Sequence, residues 1–91
     1  MAKYRKKPAV IDAVQWTGNN LREVIDLIGL HESVQHMDWE DYEDLVKRKG
    51  LKIFTLEGSL TADIGDYIIK GIHSEPYPCK PDIFAESYDV I

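Results

Sequence analysis

The sequence predicts an α+β domain, with one or two helices packed on a small curved antiparallel sheet or open barrel. Two local patterns and the order of elements predict it. AVIDAVQW at 9–16 is rich in β-branched residues and ends at the turn signal Thr17-Gly18-Asn19. In NNLREVIDLIG, Leu21, Val24, Ile25 and Ile28 fall on one helical face. Beyond residue 50 the chain reads as short apolar runs punctuated by Gly-containing turns, the pattern of antiparallel strands.

The first strand follows Pro8, a residue suited to strand entry because its missing N–H costs nothing there. Asn20 and Glu23 stand at nearly capping-box spacing, which starts the helix, and Gly29 is placed to end it. HESVQHM at 31–37 is ambiguous in pattern, with a short strand as one reading. In DWEDYEDLVKRKG, Trp39, Tyr42, Leu45 and Val46 recur at helical spacing. Acidic residues open that segment and Lys47, Arg48 and Lys49 close it, the order that the helix dipole favours, with Gly50 as the stop.

LKIFTL and SLTAD flank Glu57-Gly58, so residues 51–63 read as a hairpin. Ile64-Gly65-Asp66 makes a further turn before the strand YIIK, and a turn is also expected at 71–74. Three prolines within 76–81 hold EPYPCKP extended. DIFAESYDVI closes the chain as a short helix capped by Asp82. On this reading the helix at 20–28 packs across a sheet made from 9–16 and 51–70.

Length and composition bound the function. Ninety-one residues, 44% hydrophobic and 30% charged, make one globular domain spanning 1–91 rather than a disordered chain. So small a core gains from added buried surface, which predicts a homo-oligomer. No apolar run approaches the roughly 20 residues needed to cross a bilayer, so no membrane partner is expected. The basic start lacks a long apolar stretch and a small-residue cleavage site, which argues against a secretory signal. The single cysteine, Cys79, has no internal partner and fits a reducing cytoplasm.

The net charge of −5 is laid out unevenly. Lys3, Arg5, Lys6 and Lys7 crowd the start, while Asp38, Glu40, Asp41, Glu43 and Asp44 crowd the middle. Either cluster reads as a solvated face. Functionally, the acidic one reads as a decoy for a basic surface on a partner, and the basic one as a phosphate contact. A net negative domain is poorly suited to general nucleic-acid binding, where phosphate contacts dominate affinity.

No catalytic constellation emerges. His31, His36 and His73 lie in separate segments without a zinc spacing. Cys79 and His73 form a conceivable nucleophile and base, yet a lone cysteine also reads as a small buried hydrophobe. Asp41 and Asp44 sit where the charge run places them on a solvated helix. There is no phosphate loop, nucleophile elbow or dinucleotide fingerprint, so no catalytic residue, metal or cofactor is assigned.

A binding surface is the better reading. If YIIK pairs with EPYPCKP, then Tyr67, Lys70, Tyr77 and Lys80 share a surface, with Trp16 from the first strand nearby. Aromatic rings stack on bases and ammonium groups neutralise phosphates. The competing structural reading has the tyrosines completing a small core and the lysines keeping a sheet edge soluble.

The blocks YRKKPAVIDAVQWTG, TLEG, GDYIIKG and YPCKPDIFAESY resemble a family of small uncharacterised phage and prophage proteins. The matching blocks cover about residues 4–18 and 55–88, and residues 30–50 read as an individual insertion. Ile64 stands where that pattern has a proline before Gly65-Asp66. The resemblance implies an accessory product of an infected bacterial cytoplasm and supplies no catalytic residues. Three roles follow as expectations. The protein holds a small anionic, nucleotide-like ligand at Tyr67, Lys70, Tyr77, Lys80 and Trp16, blunting a host defence. Alternatively it covers a host defence protein through Asp38, Glu40, Asp41, Glu43 and Asp44, or serves in virion structure or assembly.

Overall fold

In the computed structural model, which describes residues 2–3, 10–55, 58–71 and 75–89, the chain alternates short strands and helices. Strand β1 (Asp12–Gln15) leads to helix α1 (Leu21–Ile28), a 3-10 turn at Glu32–Val34 and helix α2 (Trp39–Lys49). A hairpin of β2 (Leu51–Thr55) and β3 (Gly58–Ala62) follows, then β4 (Tyr67–Lys70), β5 (Tyr77–Cys79) and helix α3 (Pro81–Ser87). No helix among the described residues is long and apolar enough to cross a membrane.

The α+β class is as the sequence predicts, but among the described residues the strands form two antiparallel sheets, neither closed into a barrel. One has the order β1-β4-β5, with Asp12 opposite Lys70 and Tyr67 opposite Cys79. The other is the β2-β3 hairpin, with Ile53 opposite Leu60. The expected single sheet is divided at residues 63–66. There Asp66 N–H donates to the Asp63 carbonyl (3.0 Å), and Gly65 takes φ +102°, a backbone state that L side chains rarely adopt. This turn is clamped to β1's end, because Trp16 N–H donates to Asp66 C=O (2.8 Å) and Gly65 N–H to Trp16 C=O (2.6 Å). The chain leaving the hairpin is thereby steered beside β1 instead of extending the hairpin.

One core joins both sheets. Leu51, Ile53 and Ala62 from the hairpin meet Ile68 and Trp16, with Leu21, Val24 and Ile25 of α1 covering them. Ile28 packs at the margin, so the one-sided face read from the sequence is the face that is buried. Asn20 does not cap α1 with its side chain. Its Oδ1 accepts from Thr17 N–H (2.9 Å), while its amide donates to Gln15 C=O (2.7 Å) and to Glu23 Oε1 (2.8 Å). The residue therefore ties the β1–α1 turn together.

Helix α2 buries Tyr42 and Val46, with Trp39 and Leu45 partly covered. The Arg22 guanidinium of α1 lies 3.8 Å from the Trp39 ring centre, a cation–π contact between the helices. Val34, Tyr42 and Val46 bring segment 30–50 into the common core. Two local expectations are corrected. Residues 32–34 form a 3-10 turn instead of a strand, because His31 Nδ1 accepts from Ser33 N–H (3.2 Å), and such local bonds favour turns. The last helix is capped at Lys80 and starts with Pro81, whose missing N–H suits that position, so Asp82 lies in the first turn. Pro8, His73, Arg5, Lys6, Lys7, Glu57 and most of the expected turn at 71–74 lie outside the described residues.

Candidate functional site

Strand alternation decides which candidate side chains can meet. On β4, Tyr67 and Ile69 face one way, and Ile68 and Lys70 the other. Ile68 belongs to the common core, so Lys70 shares that side of β4 but is exposed at the strand's end, while Tyr67 shares the opposite, outer side with Ile69, which is also fully buried. Tyr77 and Cys79 pair opposite Ile69 and Tyr67, which places them on the outer face as well. The structure thus brings Tyr67 and Tyr77 together and separates Lys70 from both. The Lys70 ammonium instead donates to Leu27 C=O near the end of α1 (3.3 Å).

The outer tyrosines are engaged by α3. Phe84 stacks on Tyr67 with centroids 3.9 Å apart and an interplanar angle of 2°, and Tyr88 tilts against Phe84 at 5.2 Å. The Tyr77 and Tyr88 hydroxyls lie 3.2 Å apart. That hydrogen bond, with lesser help from partial burial, pushes the Tyr77 phenol up to about 12.

Lys80 stands at the edge of a carboxylate pair. Its ammonium donates to Asp63 Oδ2 (2.6 Å) and to both oxygens of Asp66 (3.1 and 3.2 Å). The bonds to Asp63 and then Asp66 raise the Lys80 pKa. Asp66 is only 4% exposed and also accepts from Asp63 N–H (2.9 Å), so this cation joins α3's start to the 63–66 turn. Cys79 is half-buried, and its thiol pKa is raised by that burial and then by the Asp66 and Asp82 carboxylates. A raised pKa lowers thiolate content and suits a structural cysteine.

Trp16, 5% exposed, lines a cleft of about 500 Å3 from within the core. The cleft lies between the β1–α1 turn, the second half of α2 and the end of β3. Leu21, Val46, Ala62 and Ile64 supply apolar walls, and Glu43, Lys47 and Asp63 supply its charges. Ile64 is 72% exposed, and its Cδ1 would lie 3.0 Å from a Cβ placed on Gly18, which keeps the two loops in close apposition. Asp38, Glu40, Asp41 and Asp44 are exposed at the start and along α2, and Asp44 pairs with Arg48 (3.2 Å). Glu43 alone of the acidic run turns into the cleft wall.

Sequence reasoning missed Ile64, Asp63 and Asp66, as well as the covering ring Phe84. One signal was available: Tyr67 and Lys70 are three residues apart on a strand and must point to opposite faces. Among the described residues no group of three or more His, Cys, Asp or Glu is placed to hold a metal ion. Comparison with protein-family models, curated proteins and solved structures returns no match.

Proposed function

We propose that this chain is a non-catalytic binding protein that engages a basic segment of a partner protein. An apolar side chain of the partner enters the Trp16–Ile64 cleft, and cationic residues beside it face Glu43 and the acidic first half of α2 rather than its basic end. The observation that carries this reading is Glu43, which belongs both to the acidic run of α2 and to the wall of the cleft. A concave apolar site with a highly exposed Ile64 at its rim is the kind of surface that anchors a partner's side chain. The resemblance to small phage proteins supports a host protein as that partner.

Binding of Lys/Arg-rich peptides with a Leu or Phe anchor, followed by fluorescence anisotropy, tests the proposal. Glu43→Lys and Ile64→Asp should each weaken binding by about ten-fold or more, and added salt should weaken it further. Equal binding by wild type and both variants, with fold intact by circular dichroism, refutes it.

A small anionic ligand in the same cleft is the second reading, supported by a volume within the usual range of small-molecule pockets. Here Lys47 supplies the cation and Trp16 the ring. Calorimetry with cyclic and linear nucleotides separates the two: heat that disappears in Lys47→Ala supports the small ligand.

A further inference from the structure

We propose that β3 is a self-association edge, through which two copies of this chain pair antiparallel about a two-fold axis at Leu60. The hairpin has only two strands, and β3's backbone hydrogen bonds run to β2 alone among the described residues. Gly58, Ser59, Leu60 and Thr61 are all exposed. Every second residue therefore turns an N–H and a C=O outward to solvent.

What singles out β3 is that it is unguarded. Natural sheets protect their edges with charges, prolines or bulges. The edge strand β1 carries Asp12, β5 carries Pro78, and β2 carries Lys52. Gly58-Ser59-Leu60-Thr61-Ala62 contains none of the chain's 11 basic or 16 acidic residues. In a molecule of net charge −5, the strand itself sets no like charge against a second copy; the acidic residues Glu57 and Asp63 only flank it in sequence, and Asp63 is held by the Lys80 ammonium (2.6 Å).

The occupant is a second copy because the strand complements itself. Pairing centred on Leu60 sets Leu60 of each copy against Leu60 of the other, Ser59 against Thr61, and Gly58 against Ala62. Leu60 is 49% exposed in the single chain, so the pair covers two apolar side chains that are otherwise open to water. The result is a four-stranded sheet with an isologous interface. A two-stranded ribbon is a marginal unit, and the added strands stabilise it. This inference does not rest on the cleft or on α2, and it carries the opposite salt dependence, because screening favours the association of two net negative copies.

Sedimentation equilibrium of the whole chain from roughly 1 μM to 1 mM, the range in which small interfaces associate, is the test. The wild type should shift with concentration from 10.5 kDa towards twice that mass. The shift should come at lower concentration in higher salt. Leu60→Lys and Ser59→Lys, each verified as folded by circular dichroism, should weaken dimerisation by about ten-fold or more. Hydrogen exchange at 59–61 should slow at high protein concentration in the wild type alone. A wild type that stays at 10.5 kDa at the highest concentration overturns the proposal. So does a folded Leu60→Lys or Ser59→Lys chain that dimerises as well as the wild type.

Discussion

Replacing Phe84 with alanine removes the side chain that holds α3 to the three-stranded sheet. α3 has no fully buried residue, and its ring contacts are those of Phe84 with Tyr67 at 3.9 Å and with Tyr88 at 5.2 Å. A fully buried Phe→Ala change costs about 3–5 kcal/mol. Phe84 keeps some exposure, so somewhat less than that is expected, roughly 2–4 kcal/mol, of which the stack supplies about 0.5–1.5. A helix of seven residues does not persist alone in water, so the loss should fall first on α3. Amides of 84–88 should exchange faster in the variant, while those of Val24 and Ile53 change little. Phe84→Leu keeps much of the burial without the stack and should recover all but about 0.5–1.5 kcal/mol in urea melts. The alanine variant also uncovers Tyr67, so a ligand that stacks on Tyr67 would bind it better than the wild type. A Phe84→Ala chain with wild-type exchange at 84–88 and a urea midpoint unchanged would falsify the account of α3 as a clipped-on element.

Alkaline pH should destabilise the fold earlier than the core alone requires. Tyr77 is raised to about 12 from 10.0, and Lys80 is raised above 10.5, so both hold protons in the folded chain that the unfolded chain has released. Their contribution is whole below pH 10 and is lost as pH climbs through the folded values, so the urea midpoint should fall between about pH 10 and 12. Tyr77→Phe should flatten that fall, and an equally steep fall in the variant would assign it elsewhere. The Cys79 thiol, with its pKa raised, should react more slowly with a thiol reagent at pH 8 than the same chain in urea. Cys79→Ser should fold and bind peptides as the wild type does; loss of peptide binding in a folded variant would give Cys79 a functional role.

Much of the local structure was legible in the residues. The apolar faces of 21–28 and 39–46, the glycines that end both helices, the hairpin and the strand YIIK all follow from periodicity and punctuation within a dozen residues. Such signals are local because helix faces, dipole order and turn chemistry act over one or two turns of chain. Alternation along β4 also places Tyr67 and Lys70 on opposite faces, a consequence readable from spacing alone. What the chain does over long separations was not legible. Nothing near Lys80 announces that its charge is held by Asp66 and Asp63, 14 and 17 residues away, or that Phe84 covers Tyr67. Composition likewise left one sheet as the simplest outcome, whereas the turn at 63–66, bonded to Trp16, sends the chain back along β1 and leaves the hairpin as a second sheet. Periodicity says which side of an element is apolar, but the partner that covers it is chosen by the joint burial of segments distant in sequence. The cleft beside Glu43 and the open edge of β3 exist only because that choice was made in three dimensions.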